Sequence, residues 1–309
     1  MPLVSMNSLM DHALVNKYAV GYFEAWNMES ILAVVDAAEK MNSPVIIGFG
    51  GQFIGSKKRL IRENIFHYGY LGKAIAEQTK IPVALLLNEA HELPLLIDGM
   101  SAGFNAIMYE GHGIPLTESI EINKYLVEQA HSQGVAVEAE VGQLPDSDIT
   151  TGTISSGHLT NPDEAALFVK ETGVDSLAVS IGNVHLLEGR KASLDFNLVR
   201  ALREKIDIPI VLHGATGITD EDLKLAIQLG MCKVNVGTVL KRAYLNSIQS
   251  YLKNNDVNKM DPHNVMGRGG REDMLCKARE AVCDKVVRYM VLFGSENKAK
   301  LYLSSEYAQ

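Results

Sequence analysis

Short apolar runs alternate with longer amphipathic segments along almost the whole chain. Each run is rich in Val, Ile, Leu or Ala and is bounded by Gly, Pro, Asn or Asp, which predicts a strand. Because the runs are apolar at nearly every position, they favour parallel strands that are buried on both faces. The predicted strands cover Tyr18–Phe23, Pro44–Phe49, Pro82–Leu87, Asn105–Tyr109, Val135–Glu140, Asp175–Ile181, Ile208–His213 and Lys233–Val236.

The segments between these runs have the apolar spacing of helices. Several begin with a capping residue followed by acidic residues, as in Asn161-Pro162-Asp163-Glu164. Strands that alternate regularly with helices predict a (β/α)₈ TIM barrel, with a doubly wound open sheet as the alternative. The predicted helices cover Glu29–Met41, Leu60–Gln78, Leu93–Ala102, Thr117–Gln133, Asp163–Thr172, Phe196–Lys205, Asp220–Leu229 and Val239–Asn255.

The pattern changes after the eighth predicted helix. A Gly- and Arg-containing stretch leads into a final predicted helix near Glu272–Phe293, outside the eightfold count. We therefore predict a barrel over residues 1–255 and a C-terminal helical extension over residues 256–309. The extension is expected to pack on the barrel or on a second subunit.

Composition narrows the class of protein. A single barrel commonly needs about 250 residues, which accounts for most of this 309-residue chain. The net charge of −8 disfavours nucleic acid and anionic membranes as partners. Cys232, Cys276 and Cys283 are too scattered for a disulfide framework and fit a reducing cytoplasm. Neither a signal peptide nor an apolar stretch of ~18 residues is recognisable, so we expect a cytoplasmic protein.

Two histidines lie at or just after the ends of predicted strands. His185 follows the sixth strand, and His213 ends the seventh and is followed by Gly214. Because ligands bind at the carboxyl ends of parallel strands, the two imidazoles can converge on one metal ion. The segments 142–160 and 182–193 are too long for simple turns and are candidate lids, with disordered surface loops as the alternative.

Several sequence blocks, in order, resemble the class II, metal-dependent fructose-bisphosphate and tagatose-bisphosphate aldolase family. The resemblance runs nearly end to end and implies a (β/α)₈ barrel, a sugar phosphate substrate and a homodimer or homotetramer. It also implies a divalent metal, with zinc favoured over manganese or iron. The blocks are Tyr18-Ala19-Val20-Gly21, Glu138-Ala139-Glu140-Val141-Gly142, Ile181-Gly182-Asn183-Val184-His185, Leu212-His213-Gly214-Ala215-Thr216-Gly217, Lys233-Val234-Asn235-Val236-Gly237-Thr238 and Phe293-Gly294-Ser295.

In that family three histidines bind zinc, and the motif match places His185 and His213 on two of those positions. The third follows strand three, where the family has an Asp-His pair and this chain has Asn88 and Glu89. A carboxylate also binds zinc and suits manganese or iron, so we predict Glu89 as the third ligand, with His91 as its rival. Asn88 occupies the catalytic position, but asparagine cannot exchange a proton as a carboxylate does.

Three glutamates are candidates for a replacement base. Glu24 stands where the family usually has asparagine, Glu110 replaces an aspartate, and Glu140 resembles a family carboxylate near the metal. Carboxylates that share one cleft repel each other, which raises the pKa of at least one of them. Leu186, Glu188 and Gly237 also depart from the family. Because these departures lie around the mouth of the predicted barrel, they indicate a changed substrate or reaction.

The turns after strands seven and eight are the usual phosphate position in barrels. A cation for the phosphate is expected from Arg190 or Lys191. Arg279 lies in a segment that resembles one which, in some family members, reaches a neighbouring subunit, with a surface role for Arg279 as the alternative. The predicted phosphate-binding residues are Gly182, Arg190, Gly214, Thr216, Asn235, Gly237, Thr238 and Arg279.

Three functions fit these residues. The first is a metal-dependent aldolase-type lyase that acts on a phosphorylated ketose through a metal-stabilised enediolate. The second keeps the metal but moves a proton only, as a sugar or sugar-phosphate epimerase or isomerase. The third is a noncatalytic protein that binds a sugar phosphate.

Overall fold

The strands form a closed parallel barrel in which each pairs with its neighbour in the chain and the first pairs with the last. A computed structural model describes residues 3–111, 113–148, 151, 153–185 and 191–306. The TIM-barrel prediction is confirmed and the open sheet is wrong. The strands are β1 (Val20–Ala25), β2 (Val45–Gly50), β3 (Val83–Ala90), β4 (Ala106–Tyr109), β5 (Ala136–Val141), β6 (Ser176–Val179), β7 (Ile210–Leu212) and β8 (Met231–Val236).

All eight predicted barrel helices are present, with small shifts at their ends. The largest shift is in the second, which begins at Ile65 instead of Leu60 because the Asn64 side chain caps it by accepting from the Phe66 backbone N–H. These helices are α2 (Met28–Met41), α4 (Ile65–Gln78), α5 (Leu93–Ala102), α6 (Leu116–His131), α7 (Pro162–Thr172), α8 (Phe196–Lys205), α9 (Asp220–Gln228) and α10 (Thr238–Asn254).

Within the described residues, four further α-helices and a 3₁₀ helix (Val257–Lys259) were not predicted. One of them, α1 (Met6–Val15), packs its buried Met6, Leu9, Met10 and Ala13 against the residues that fill the barrel interior. It therefore closes the amino-terminal end of the barrel and leaves the carboxyl-terminal end for ligands. The others are α3 (Gly51–Ile54), α11 (Pro262–Val265) and α13 (Lys298–Glu306).

The predicted final helix is present as α12 (Met274–Phe293), which lies against α2 and α10 on the outside of the barrel. Arg279 on α12 donates to both carboxylate oxygens of Asp36 on α2. No helix in the described ranges is long and apolar enough to cross a membrane.

The two long loops lie together at the carboxyl-terminal end. Asp146 forms a parallel bridge with His185, and Ser147 forms an antiparallel bridge with Ile154. Leu186, Glu188 and Arg190 lie outside the described residues. The lid function of both loops stays a prediction.

Candidate metal centre and its cavity

Glu89, His185 and His213 converge at the carboxyl-terminal mouth of the barrel. One potential ligand atom from each residue lies within 4.8 Å of the potential ligand atoms of the other two. Among the described residues, these three form a group of side chains that could hold a metal ion. His91 is not part of it; its Nε2 lies 3.6 Å from Glu110 Oε2, outside the cluster. The geometry therefore favours Glu89 over His91 as the third ligand.

A local distortion of β3 aims Glu89 into the mouth. The pairing of β3 with β4 shifts register between Leu87 and Ala90, and Glu89 has a φ of +50°. A left-handed conformation costs a residue with a side chain about 1–3 kcal/mol, and such strain concentrates at functional sites. Gln52 Nε2 donates to Glu89 Oε2 at 2.6 Å and holds the carboxylate in place.

His213 is completely buried and presents different neighbours to its two ring nitrogens. Nε2 lies 3.0 Å from Glu138 Oε1 and 2.9 Å from Asn235 Nδ2. Nδ1 lies 3.0 Å from Glu89 Oε1 and 3.8 Å from Glu140 Oε2, but has no hydrogen bond of suitable geometry within the described part of the chain. A buried nitrogen left unpaired beside carboxylates, with its partner nitrogen fixed by a carboxylate, is the arrangement of a metal-binding histidine. The residues present thus fit a divalent cation.

A buried ion pair lies behind His213, inside the barrel. Lys233 Nζ donates to Glu138 Oε1 at 2.8 Å and to Asn235 Oδ1 at 2.7 Å. Burial alone would raise the pKa of Glu138, but Lys233 and His213 hold it below its usual range. Glu138 is therefore a carboxylate, which fixes the proton of His213 on Nε2 and leaves Nδ1 to face the cluster.

The charges at the cluster favour a cation. Burial alone would lower the pKa of His213, but the carboxylates of Glu138 and Glu89 raise it to about 9. Burial would raise the pKa of Glu89, but His213 and His185 hold it well below its usual range. In the metal-free protein a proton therefore supplies the positive charge that a metal ion would supply.

The cluster opens into a cavity of about 360 Å³. Thr238 at its edge is the first residue of α10, so the amino terminus of this helix faces the cavity. Gly214, in the turn after β7, has a φ of +63° and lies so close to Val184 O that a Cβ would be 2.8 Å away. The cavity brings together the predicted residues Glu24, Asn88, Glu89, His185, Gly214, Thr216, Asn235, Gly237 and Thr238.

Several predicted residues of the described chain do not line this cavity, the buried His213 among them. Glu140 Oε2 lies 3.8 Å from His213 Nδ1, and Glu110 lies beside His91. Gly182 has its backbone against Ser193. Arg279 pairs with Asp36 within the same protomer, so its reach into a neighbouring subunit stays a prediction. Arg190 lies outside the described residues.

Glu24 occupies space that glycines leave free. A Cβ at Gly237 would lie 2.5 Å from Glu24 Oε2, and one at Gly50 would lie 2.9 Å from Oε1. Lys241 Nζ donates to Oε1 at 2.9 Å. Burial raises the pKa of Glu24, and Lys241 opposes this only in part. The side chain at position 24 and the size of the residue at position 237 are therefore sterically coupled.

This coupling gives a testable expectation. Gly237→Ala should weaken substrate turnover because its methyl group displaces Glu24, and the loss should shrink when Glu24 is already alanine. A double-mutant cycle on kcat/KM measures the coupling. Gly270→Ala is the control, because a Cβ there meets no atom within 4 Å from the described residues beyond its chain neighbours. Equal effects of Gly237→Ala in both backgrounds would contradict the coupling.

Sequence reasoning missed several residues of the site. Tyr22 is buried on β1, lines the cavity, and its hydroxyl has no hydrogen-bond partner within the described ranges. Lys233 and Glu138 could have been found from the sequence, because each is a charged residue at an inward position of an otherwise apolar strand. Gln52 carried none, since α3 was not predicted.

The fold and the cluster together define a TIM-barrel protein with a candidate metal centre of two histidines and one carboxylate. The family model for fructose-bisphosphate aldolase class-II matches residues 4–298. The chain therefore belongs to the class II fructose-bisphosphate aldolase family.

Its relatives include the uncharacterized protein YdjI of Escherichia coli K12, which is 32% identical over 283 residues, covering 92% of this chain and 94% of the relative. The crystal structure of the YdjI aldolase superposes with a TM-score of 0.78 at 31% identity, covering 96% of this chain and 99% of that chain. A fructose-bisphosphate aldolase from Campylobacter jejuni shares the fold, with a TM-score of 0.75 at 23% identity, covering 96% and 97%.

Proposed function

We propose that the protein is a metal-dependent aldolase-type lyase that cleaves a phosphorylated ketose. The observation that carries the proposal is the cluster of Glu89, His185 and His213 at the base of a cavity that a helix amino terminus also faces. Those three side chains would hold the ion, zinc first, with manganese or iron as alternatives. When bound, such an ion polarises the ketose carbonyl.

The phosphate would bind at the wall of the cavity formed by the start of α10 and the turn after β7. The amino terminus of α10 presents backbone N–H groups at Thr238, and Arg242 on the same helix also lines the cavity. Helix amino termini stabilise anions through these N–H groups and the helix dipole. Thr216 and the glycine turn at Gly214 complete a narrow, donor-rich wall.

We assign proton transfer to Glu24, with Glu140 as the second candidate. Glu24 Oε2 faces Gly237 in the cavity, whereas Oε1 accepts from Lys241. Its raised pKa suits a group that takes and returns a proton near neutral pH. Asn88 cannot exchange a proton, but its Oδ1 is buried and has no hydrogen-bond partner in the described part of the chain. It can therefore accept a hydrogen bond from a substrate hydroxyl.

The test is an assay of cleavage of fructose and tagatose 1,6-bisphosphates and of ketose 1-phosphates. Protein stripped with a chelator is expected to regain activity with zinc, manganese or iron. Glu24→Gln should lower kcat by about 10²–10⁴-fold at unchanged metal content, which is the usual contribution of a general base. Glu110→Gln, whose carboxylate lies beside His91, should stay close to wild type. No cleavage by folded, metal-loaded protein would refute the proposal.

An epimerase or isomerase is the second candidate, favoured by Asn88 at the family's aspartate position and by the carboxylates of Glu24 and Glu140 around the mouth. Such an enzyme would incorporate deuterium from solvent into the substrate without fragmentation. Tight binding of a sugar phosphate with neither metal nor turnover would instead indicate a noncatalytic binding protein.

A further inference from the structure

A second cavity, of about 430 Å³, adjoins the metal cavity. The two share Glu24, Phe53, Lys241 and Leu245 as lining residues, so they are neighbours along one wall of the barrel mouth. The function proposed above uses only the first. A substrate bound at the metal cluster would have to pass Glu24 to reach the second.

Aromatic side chains dominate the second cavity. Five of its lining residues are aromatic, and they interlock in edge-to-face pairs: Trp26 with Tyr244 at 5.6 Å and Phe49 with Tyr68 at 4.9 Å between ring centroids. Such pairs fix the rings in place, so the cavity is preformed. Phe53 is not one of these four paired rings, and the residue is 47% exposed.

The cations that line this cavity are already paired. Lys241 Nζ donates to Glu24 at 2.9 Å and lies 4.0 Å from the centroid of the Phe53 ring. Arg59 forms an ion pair with Glu63 and contacts the Tyr68 hydroxyl. A phosphate dianion placed here would lose its hydration without gaining an unpaired cation, which is costly.

We propose that this aromatic cavity binds the part of the ketose that leaves as the aldehyde, and that this part is an uncharged polyhydroxylated chain instead of a phosphate ester. The inference rests on the function proposed above. In cleavage, the bond between C3 and C4 breaks and its electron pair stays on C3, which is then protonated. The C4 hydroxyl loses its proton and C4 leaves as the aldehyde carbon. The aromatic faces would pack on the C–H groups of this fragment.

Binding of analogues that cannot be cleaved tests the occupant without requiring turnover. Isothermal titration of zinc-loaded protein should show that a hexitol 1-phosphate binds at least about tenfold more tightly than the corresponding hexitol 1,6-bisphosphate. Tighter binding of the bisphosphate would overturn the proposal. Glycerol phosphate, which lacks the carbon chain beyond C3, supplies the reference affinity for the first cavity.

Variants locate the binding. Trp26→Ala and Tyr68→Ala, whose side chains line the second cavity and not the first, should both weaken hexitol 1-phosphate binding several-fold and leave glycerol phosphate binding unchanged. The second variant covers the case in which the first does not fold. Tyr70→Ala is the control, because this ring on α4 is exposed and lines neither cavity. Unchanged hexitol phosphate binding in folded Trp26→Ala or Tyr68→Ala would contradict the assignment.

Aldol condensation separates this inference from the proposed function. With dihydroxyacetone phosphate as donor, kcat/KM should be higher for unphosphorylated tetroses or pentoses than for glyceraldehyde 3-phosphate. A preference for glyceraldehyde 3-phosphate would refute the inference and support the lyase. Absence of condensation, together with preferred binding of the monophosphate, would refute the lyase and support the assigned occupant.

Discussion

Glu89→Ala is expected to lower the metal content of the purified protein several-fold. Only His185 and His213 would remain as ligands from the cluster, and the charge that favours a cation beside His213 Nδ1 would be lost. Elemental analysis after dialysis against a fixed zinc concentration measures the effect. Because proteins hold catalytic zinc with three side chains, cleavage activity should fall together with metal content.

The control for this variant is Glu92→Ala, three residues along the chain, where the exposed side chain makes no cap hydrogen bond to α5. It should retain wild-type metal content.

Glu89→His should restore the family's ligand set and shift the metal preference toward zinc. Adding Asn88→Asp should raise aldol cleavage. Wild-type metal content in Glu89→Ala would show that Glu89 is not a ligand.

Lys233→Met is expected to destabilise the metal-free protein by about 3–5 kcal/mol. Lys233 and Glu138 are both completely buried, and their ion pair is 2.8 Å long. Removing the ammonium group leaves the carboxylate with His213 and Ser176 as its remaining hydrogen-bond partners among the described residues. Urea denaturation followed by circular dichroism measures the loss.

A second variant separates stability from site geometry. Lys233→Met combined with Glu138→Leu removes both charges and should recover much of the lost stability, because apolar replacements of a whole buried pair are often neutral. The double variant should bind metal more weakly than wild type, since His213 Nε2 would lose its carboxylate partner and keep only Asn235 Nδ2, at 2.9 Å, among the described residues. A urea midpoint of unfolding for Lys233→Met equal to that of the wild-type protein would contradict this account of the ion pair.

The barrel could be predicted because its strands are short, apolar and regularly spaced, and their order needs no long-range information. The helix α1 was missed although Met6, Leu9, Met10 and Ala13 have helical spacing, because an eightfold count begins at the first strand. The start of α4 was placed too early because the apolar Leu60 and Ile61 are exposed and belong to the preceding loop.

The metal cluster could be predicted from the sequence because the strand ends of a parallel barrel meet at one face. The choice between Glu89 and His91 could not be predicted, since it depends on the positive φ of Glu89 and the register shift in β3. The pairing of Glu138 with Lys233 joins residues 95 positions apart across the barrel interior. No local pattern contains that information.

Anomalous diffraction from a crystal soaked with zinc tests the central claim most directly. The account predicts one strong peak at the barrel mouth, about 2.0–2.2 Å from a Glu89 oxygen and from one nitrogen each of His185 and His213. The nitrogen of His213 should be Nδ1, with Nε2 still donating to Glu138. A peak completed by His91 or water while Glu89 points away, or no peak at the barrel mouth, would contradict the account.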